Sequence, residues 1–202
     1  MRVLKDVSTW QLLPQERDCV RGSMDKRVKE FTAGRLCARR AMSILGLSET
    51  PLLSGSDRVP LWPDRVVGSI IHTDGYCIAV VGAKTSFAAL GVDAERVGRV
   101  EVALWRTVFC EEEIEWLLTL DNAMRVEMAT IIFSAKEAFY KCQYGITRSW
   151  LGFEDVVVEV MNGMFRISIR NKHSSIATKL TSLSGRYALD EGVVITGIAI
   201  HA

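Results

Sequence analysis

Phe87-Ala88-Ala89-Leu90-Gly91-Val92-Asp93-Ala94-Glu95 is the stretch on which the fold reading turns. Residues 87–93 are apolar up to the aspartate and follow a Lys84-Thr85-Ser86 turn, which predicts a strand. Side chains alternate faces in a strand, so Asp93 and Glu95 point the same way, about 6–7 Å apart, while Val92 and Ala94 face packing. About forty residues later comes Phe133-Ser134-Ala135-Lys136-Glu137-Ala138-Phe139-Tyr140-Lys141. Residues 124–144 are good helix formers with no Gly or Pro before Gly145, which predicts a long helix ending there. On that helix Phe133, Glu137, Tyr140 and Lys141 share one side. Brought together, the two segments offer three carboxylates with a lysine beside them. Oxygen donors without nearby His or Cys suit magnesium, which keeps several waters and takes ligands from a phosphate substrate. The plainer alternative is a solvated strand edge plus an ordinary i,i+4 surface pair worth about 0.3–0.5 kcal/mol.

Outward from this pair, the chain divides into two α+β halves. Residues 24–46 form an expected helix closed by Gly46, followed by an irregular stretch over 48–64. Strands are expected at 65–71 and 76–82, joined by a His72–Gly75 turn, and then at 87–93. The second half has expected helices at 111–120 and 124–144. Strands at 155–161 and 164–170 flank an Asn162-Gly163 hairpin turn, and further strands fall near 186–190 and 192–200. The expected domains are 1–90 and 91–202, with no flexible linker.

Whole-chain properties exclude several classes. A net charge of +1 over 202 residues gives no reason to invoke nucleic acid or a charged membrane surface. No apolar run reaches the roughly 18–20 residues of a membrane span, and Met1-Arg2-Val3-Leu4-Lys5-Asp6 lacks the apolar stretch of a signal peptide. The five cysteines (Cys19, Cys37, Cys77, Cys110, Cys142) are odd in number and form no C-x-x-C pair, as expected of reduced thiols in a cytoplasmic protein.

Gly91-Val92-Asp93-x-Glu95 followed by Phe133-Ser134-x-Lys136-Glu137-Ala138-x-Tyr140-Lys141 resembles the paired signature of the 4′-phosphopantetheinyl transferases, and most closely their bacterial, siderophore-synthase-associated (enterobactin synthase component D-like) branch. Four further segments resemble that branch in order: Arg35-Leu36-Cys37-Ala38-Arg39-Arg40-Ala41, Arg58-Val59-Pro60-Leu61-Trp62-Pro63, Val67-Gly68-Ser69-Ile70-Ile71-His72-Thr73 and Trp150-Leu151-Gly152-Phe153-Glu154-Asp155. With the paired signature they cover most of the chain, from about residue 26 to 155.

The resemblance implies two similar halves, each a helix packed on antiparallel strands, with the active site in the cleft between them. It implies transfer of the phosphopantetheine arm of coenzyme A to a serine of an acyl, peptidyl or aryl carrier protein, leaving adenosine 3′,5′-bisphosphate. Asp93, Glu95 and Glu137 would hold magnesium, with manganese as a substitute, and Lys141 and Lys136 would stabilise the pyrophosphate. The serine proton would go to Glu113, with Glu137 or a metal-activated water as alternatives. An acidic first helical turn is the plainer account of Glu111–Glu113. Arg27, Arg35 and Arg58 would contact the nucleotide, since a planar guanidinium suits phosphate, and His72 and Thr73 would contact a coenzyme A phosphate. One departure stands out: Ile71 occupies a position commonly serine in the family. Met124 and Arg125 are candidates for carrier docking, although Met124 equally suits core packing. The expected protein is a cytoplasmic monomer. A coenzyme A- or carrier-binding protein that has lost catalysis, and a metal-dependent nucleotide phosphohydrolase, remain open alternatives.

Overall fold

The computed structural model describes residues 11–73, 76–170 and 182–202. The protein is α+β and divides into two compact units, residues 1–90 with 201–202 and residues 91–200.

In the first unit, a short helix α1 (Pro14–Asp18) starts on a proline whose missing N–H costs nothing there. The main helix α2 (Asp25–Ile44) follows, and Gly46 (φ +74°) turns the chain away from it. Strands β1 (Val66–Thr73) and β2 (Tyr76–Ala83) pair antiparallel from Val66↔Ala83 to Thr73↔Tyr76. The Asp74–Gly75 turn expected between them lies outside the described residues. Helix α2 packs on both strands. Ala33 and Cys37 of the helix meet Cys77 and Ala79 of β2, while Phe31 joins Leu12 and Val20 in a neighbouring cluster.

The second unit is built on α5 (Asn122–Thr147) lying against a sheet. The sheet order is β3-β7-β6-β5-β4, with β3 Phe87–Arg96, β4 Val156–Met161, β5 Met164–Ile169, β6 Ser182–Asp190 and β7 Val193–His201. Strands β4 to β7 pair antiparallel in sequence. The Asn162-Gly163 turn closes the β4–β5 hairpin with Gly163 at φ +70°. Ile131, Ile132, Ala135, Phe139 and Cys142 of α5 are buried, as are Val156, Val158, Phe165 and Ile167 of the facing strands. Two short helices, α3 (Trp105–Val108) and α4 (Glu111–Leu118), come between β3 and α5.

Helix α5 departs from expectation at its end. Gly145 was expected to stop it, but the helix runs on to Thr147 and terminates at Arg148 in the left-handed region (φ 52°). A helical glycine costs only about 1 kcal/mol. Local bonds offset that: Gln143 Nε2 donates to Ser149 O (3.1 Å) and Thr147 Oγ1 to Gln143 Oε1 (2.6 Å).

Gly91 permits the contact that seats β3 on α5. A Cβ built there would lie 1.9 Å from the Ala138 carbonyl oxygen and 2.9 Å from Cys142 Cβ. Only a residue without a side chain lets strand and helix approach this closely.

Candidate active site

That close approach delivers Asp93, two residues along β3, to the helix. Its side chain is 1% exposed and both oxygens are engaged from α5. Lys141 Nζ donates to Oδ1 at 2.6 Å and Ser134 Oγ to Oδ2 at 2.8 Å. Lys141 also reaches Val92 O at 3.4 Å. Residues 134 and 141 lie two helical turns apart on one face, with Glu137 between them. Val92 and Ala94 are buried on the packing side, as the alternation requires.

Glu95 and Glu137 share this electrostatic environment. Burial raises the Glu95 carboxyl to about 7, with Asp93 and Glu137 pushing the same way and Arg99 and Lys141 opposing. The Glu137 carboxyl is also raised, by burial first and by Asp93, against the pull of Lys141. Glu95 Oε2 is buried with no hydrogen-bond donor; Arg99 Nε stands 3.7 Å away. Glu95 and Glu137 thus hold their protons more tightly than usual, and Glu95 carries an orphaned oxygen; oxygen donors of this kind are those a hard divalent cation takes. Among the described residues no group of three or more His, Cys, Asp or Glu is placed to hold a metal ion.

Two further expected site residues, Lys136 and Glu113, pair with each other. Lys136, five residues before Lys141, is 1% exposed and donates to Glu113 Oε2 (2.7 Å) and Phe153 O (2.8 Å). Glu113 Oε2 also accepts from Cys110 N, capping α4, and Oε1 accepts from Val158 N. Lys136, expected on the pyrophosphate, and Glu113, expected as proton acceptor, are thus partners of one another in this structure. Each satisfies the other in a buried pair that joins α4, α5 and the start of β4. The helix-start account of Glu113 holds, with a buried lysine added. The Arg125 guanidinium donates to Leu117 O (3.1 Å) and Leu120 O (2.7 Å), closing the C-terminal end of α4. Met124 beside it is exposed.

A cavity of about 210 Å³ opens next to Glu137. Its walls include Phe139, Tyr140, Trp150, Leu151 and Phe153. Trp150 is exposed and meets Tyr140 edge-on at 4.9 Å between ring centroids. The sequence reading noted Trp150–Asp155 only as a family segment. Its aromatic and apolar residues were the available signal for a wall.

In the first unit stands Arg35, expected on a coenzyme A phosphate. It is buried, stacks on Phe31 (4.0 Å to the ring centroid) and donates to Leu52 O (2.5 Å) and Ser54 Oγ (2.8 Å). Burial lowers its guanidinium to about 10. Arg35 thus fastens the 52–54 segment to α2. Arg39 is also buried, between Glu16 and Glu49. Arg27 remains exposed, 6.0 Å from the Phe31 ring. Arg58 is exposed at the tip of a loop closed by a Ser54–Pro60 bridge, in the left-handed region (φ 64°). His72 Nδ1 stands 3.8 Å from Glu30 Oε2, and Thr73 ends β1.

The chain matches the 4'-phosphopantetheinyl transferase N-terminal domain over residues 15–82 and the 4'-phosphopantetheinyl transferase superfamily over residues 89–194. It belongs to the 4'-phosphopantetheinyl transferase superfamily. It is 34% identical to the 4'-phosphopantetheinyl transferase Npt of Nocardia iowensis, over 92% of this chain and 88% of that one. It is 30% identical to enterobactin synthase component D of Escherichia coli K12, over 76% of each. Among solved structures it is similar to the holo-[acyl-carrier-protein] synthase of Neisseria meningitidis, with a TM-score of 0.46 and 16% identity over 57% of this chain and 98% of that one.

Proposed function

We propose that the chain performs its family's transfer at the Asp93–Glu137–Lys141 face of the second unit. The reaction forms a bond between a carrier-protein serine Oγ and the phosphorus bearing the pantetheine arm of coenzyme A. It breaks that phosphorus's bond to the bridging pyrophosphate oxygen, giving holo carrier and adenosine 3′,5′-bisphosphate. The carrying observation is the coupled set of Asp93, Glu95 and Glu137 beside the Lys141 ammonium.

In this reading Asp93, Glu95 and Glu137 hold magnesium, with manganese as a substitute. A bound ion would neutralise charge developing on the leaving phosphate. Lys141, fixed by Asp93, offers its remaining donors to the pyrophosphate. The serine proton has three candidate acceptors in this reading: Glu113, Glu137 and a water on the ion. With Glu113 engaged by Lys136, Glu137 is the stronger candidate of the two carboxylates. The cavity beside Glu137 receives the pantetheine arm, and its aromatic walls keep water from the reacting phosphorus. Coenzyme A recognition falls to Arg27, Arg58, His72 and Thr73 of the first unit, which accordingly carries the nucleotide-binding elements.

The carrier is an acyl, peptidyl or aryl carrier protein, and likeness to enterobactin synthase component D favours siderophore or related secondary-metabolite assembly. Exposed Met124, with Trp116 and Leu118 at the neighbouring end of α4, supports an apolar docking patch there. No helix among the described residues is long and apolar enough to cross a membrane, and a cytoplasmic monomer is the proposed form.

The test is mass spectrometry of apo carrier proteins incubated with the enzyme, coenzyme A and magnesium. The expected result is addition of one phosphopantetheine group to the carrier serine. Release of free phosphopantetheine would instead make the protein a hydrolase, and no change with any carrier would leave a binding protein.

A further inference from the structure

Strand β7 presents a buried row to α5: Val194, Thr196 and Ile198, exposed by 0%, 0% and 4%. Valine, which has the shape of threonine, would fill the middle position without a polar group to satisfy. The hydroxyl is therefore informative. Thr196 Oγ1 lies 2.9 Å from Ser134 Oγ and 2.9 Å from Ser134 O. Ser134 Oγ in turn lies 2.8 Å from Asp93 Oδ2.

Counting protons fixes the direction of this chain. An ionised carboxylate only accepts, so the single Ser134 hydroxyl proton goes to Asp93. Ser134 Oγ can then only accept from Thr196. The Thr196 proton is shared between Ser134 Oγ and Ser134 O, the two acceptors at equal distance. A serine inside a helix has a competing choice, donation to the carbonyl one turn earlier, here Thr130 O. By donating to Ser134 Oγ from the sheet side, the Thr196 hydroxyl favours the rotamer aimed at Asp93. The three residues come from β7, α5 and β3, so their bonds link the carboxylate to the helix and to a second strand.

We propose that Thr196 is a positioning residue that acts through Ser134 to hold the Asp93 carboxylate in its ion-binding orientation. The inference rests on the reading of Asp93 as a metal ligand. Groups that orient metal ligands influence metal affinity about 10–100-fold. The Thr196 hydroxyl, one bond further out, belongs at the low end of that range.

The experiment measures Mn²⁺ binding to the coenzyme A-free protein by electron paramagnetic resonance, alongside thermal melting. Thr196→Val is expected to raise the Mn²⁺ dissociation constant about tenfold while melting near the wild type. Thr196→Ser, which restores the hydroxyl, is expected to bind within about twofold of wild type. Ser134→Ala is expected to weaken binding at least as much as Thr196→Val, and the double variant no more than Ser134→Ala alone. Wild-type affinity in Thr196→Val or in Ser134→Ala overturns the inference. So does equal loss in Thr196→Ser and Thr196→Val, which would assign the effect to packing. If Thr196→Val does not fold, Ser134→Ala and Thr196→Ser decide by the same criteria. A wild-type protein that binds no Mn²⁺, or an Asp93→Asn variant that binds as wild type, overturns the metal reading itself and this inference with it. Binding that Asp93→Asn abolishes and Thr196→Val leaves unchanged overturns only the role of Thr196.

Discussion

Helix α5 carries two lysines five residues apart, and each meets a carboxylate at nearly the same distance. Lys136 lies 2.7 Å from Glu113, and Lys141 lies 2.6 Å from Asp93. The side chains of the first pair are 1% and 2% exposed; Lys141 of the second is 23% exposed. The first pair is well supplied with partners: the Lys136 ammonium adds Phe153 O, and the Glu113 oxygens add Cys110 N and Val158 N. The second pair stands beside two more carboxylates and an orphaned oxygen. Matching residue chemistry thus gives a structural clamp in one place and a charged, incompletely satisfied site in the other. What separates them is how many partners the fold supplies, since a buried ion pair contributes to stability only when its remaining hydrogen-bonding capacity is met.

The contrast can be broken by substitution. Lys136→Met leaves Glu113 buried without its cation and is expected to cost about 3–5 kcal/mol of stability. Turnover per folded molecule should stay close to wild type. Urea unfolding read beside the transfer rate checks this, and a folded, inactive Lys136→Met would return Lys136 to the catalytic list.

The converse pattern is expected at the other pair. Glu137→Ala should lose about 3–4 kcal/mol of transition-state stabilisation, several hundredfold in rate, with the fold intact. Lys141→Met, which keeps the stem and removes the charge, should also lower turnover strongly, with a smaller loss of stability than in Lys136→Met. Near-normal rates in Glu137→Ala would remove the site from this face.

A pH titration sharpens the same comparison. The Glu95 carboxyl sits at about 7 in the folded protein against an ordinary 4.5. The folded state therefore holds this proton more tightly than the unfolded chain. The resulting stabilisation is fully present below about pH 4.5 and is lost as pH rises through about 7, by up to about 3 kcal/mol. Metal-free protein should melt progressively lower across that window, and magnesium should restore stability at its upper end. A melting temperature that rises with pH from 5 to 8, unaltered in Glu95→Gln, would contradict the assignment.

The smallest effect concerns Ile71, which pairs with Ile78 in the β1–β2 hairpin. Ile71→Ser restores the hydroxyl common in the family. It is expected to lower the Michaelis constant for coenzyme A by several fold, the value of about one net hydrogen bond. Unchanged or weaker affinity would show that Thr73 or the backbone already meets that phosphate.

Local periodicity made most of the elements legible before any coordinates. The β1–β2 and β4–β5 hairpins, the main helix of each unit and the glutamate at the start of α4 all follow from spacing, turn residues and apolar pattern. What periodicity cannot carry is the partner of a side chain distant in sequence. Lys136 and Lys141 occupy similar contexts in one motif, and their partners lie 23 and 48 residues away. Thr196 reads as an ordinary strand residue until α5 is laid over it. The burial of Arg35 and Arg39 is not legible either, because their partners Glu16, Leu52 and Ser54 lie in segments distant in sequence from α2. The helix end was misplaced at Gly145 for a related reason, since bonds beyond the glycine outweigh its propensity.

The bare hydrogen of Gly91 sets the gauge of the second unit. With a carbonyl oxygen 1.9 Å from where a methyl group would begin, the gap between β3 and α5 cannot be adjusted at that point. Asp93 lies two residues downstream on the same strand, and the groups that grip it belong to the same helix. Helix–strand spacing and carboxylate geometry are therefore one mechanical variable. Widening the gap by a single carbon would lengthen two hydrogen bonds in step, so the chemistry of the site is calibrated by a residue that has no functional group.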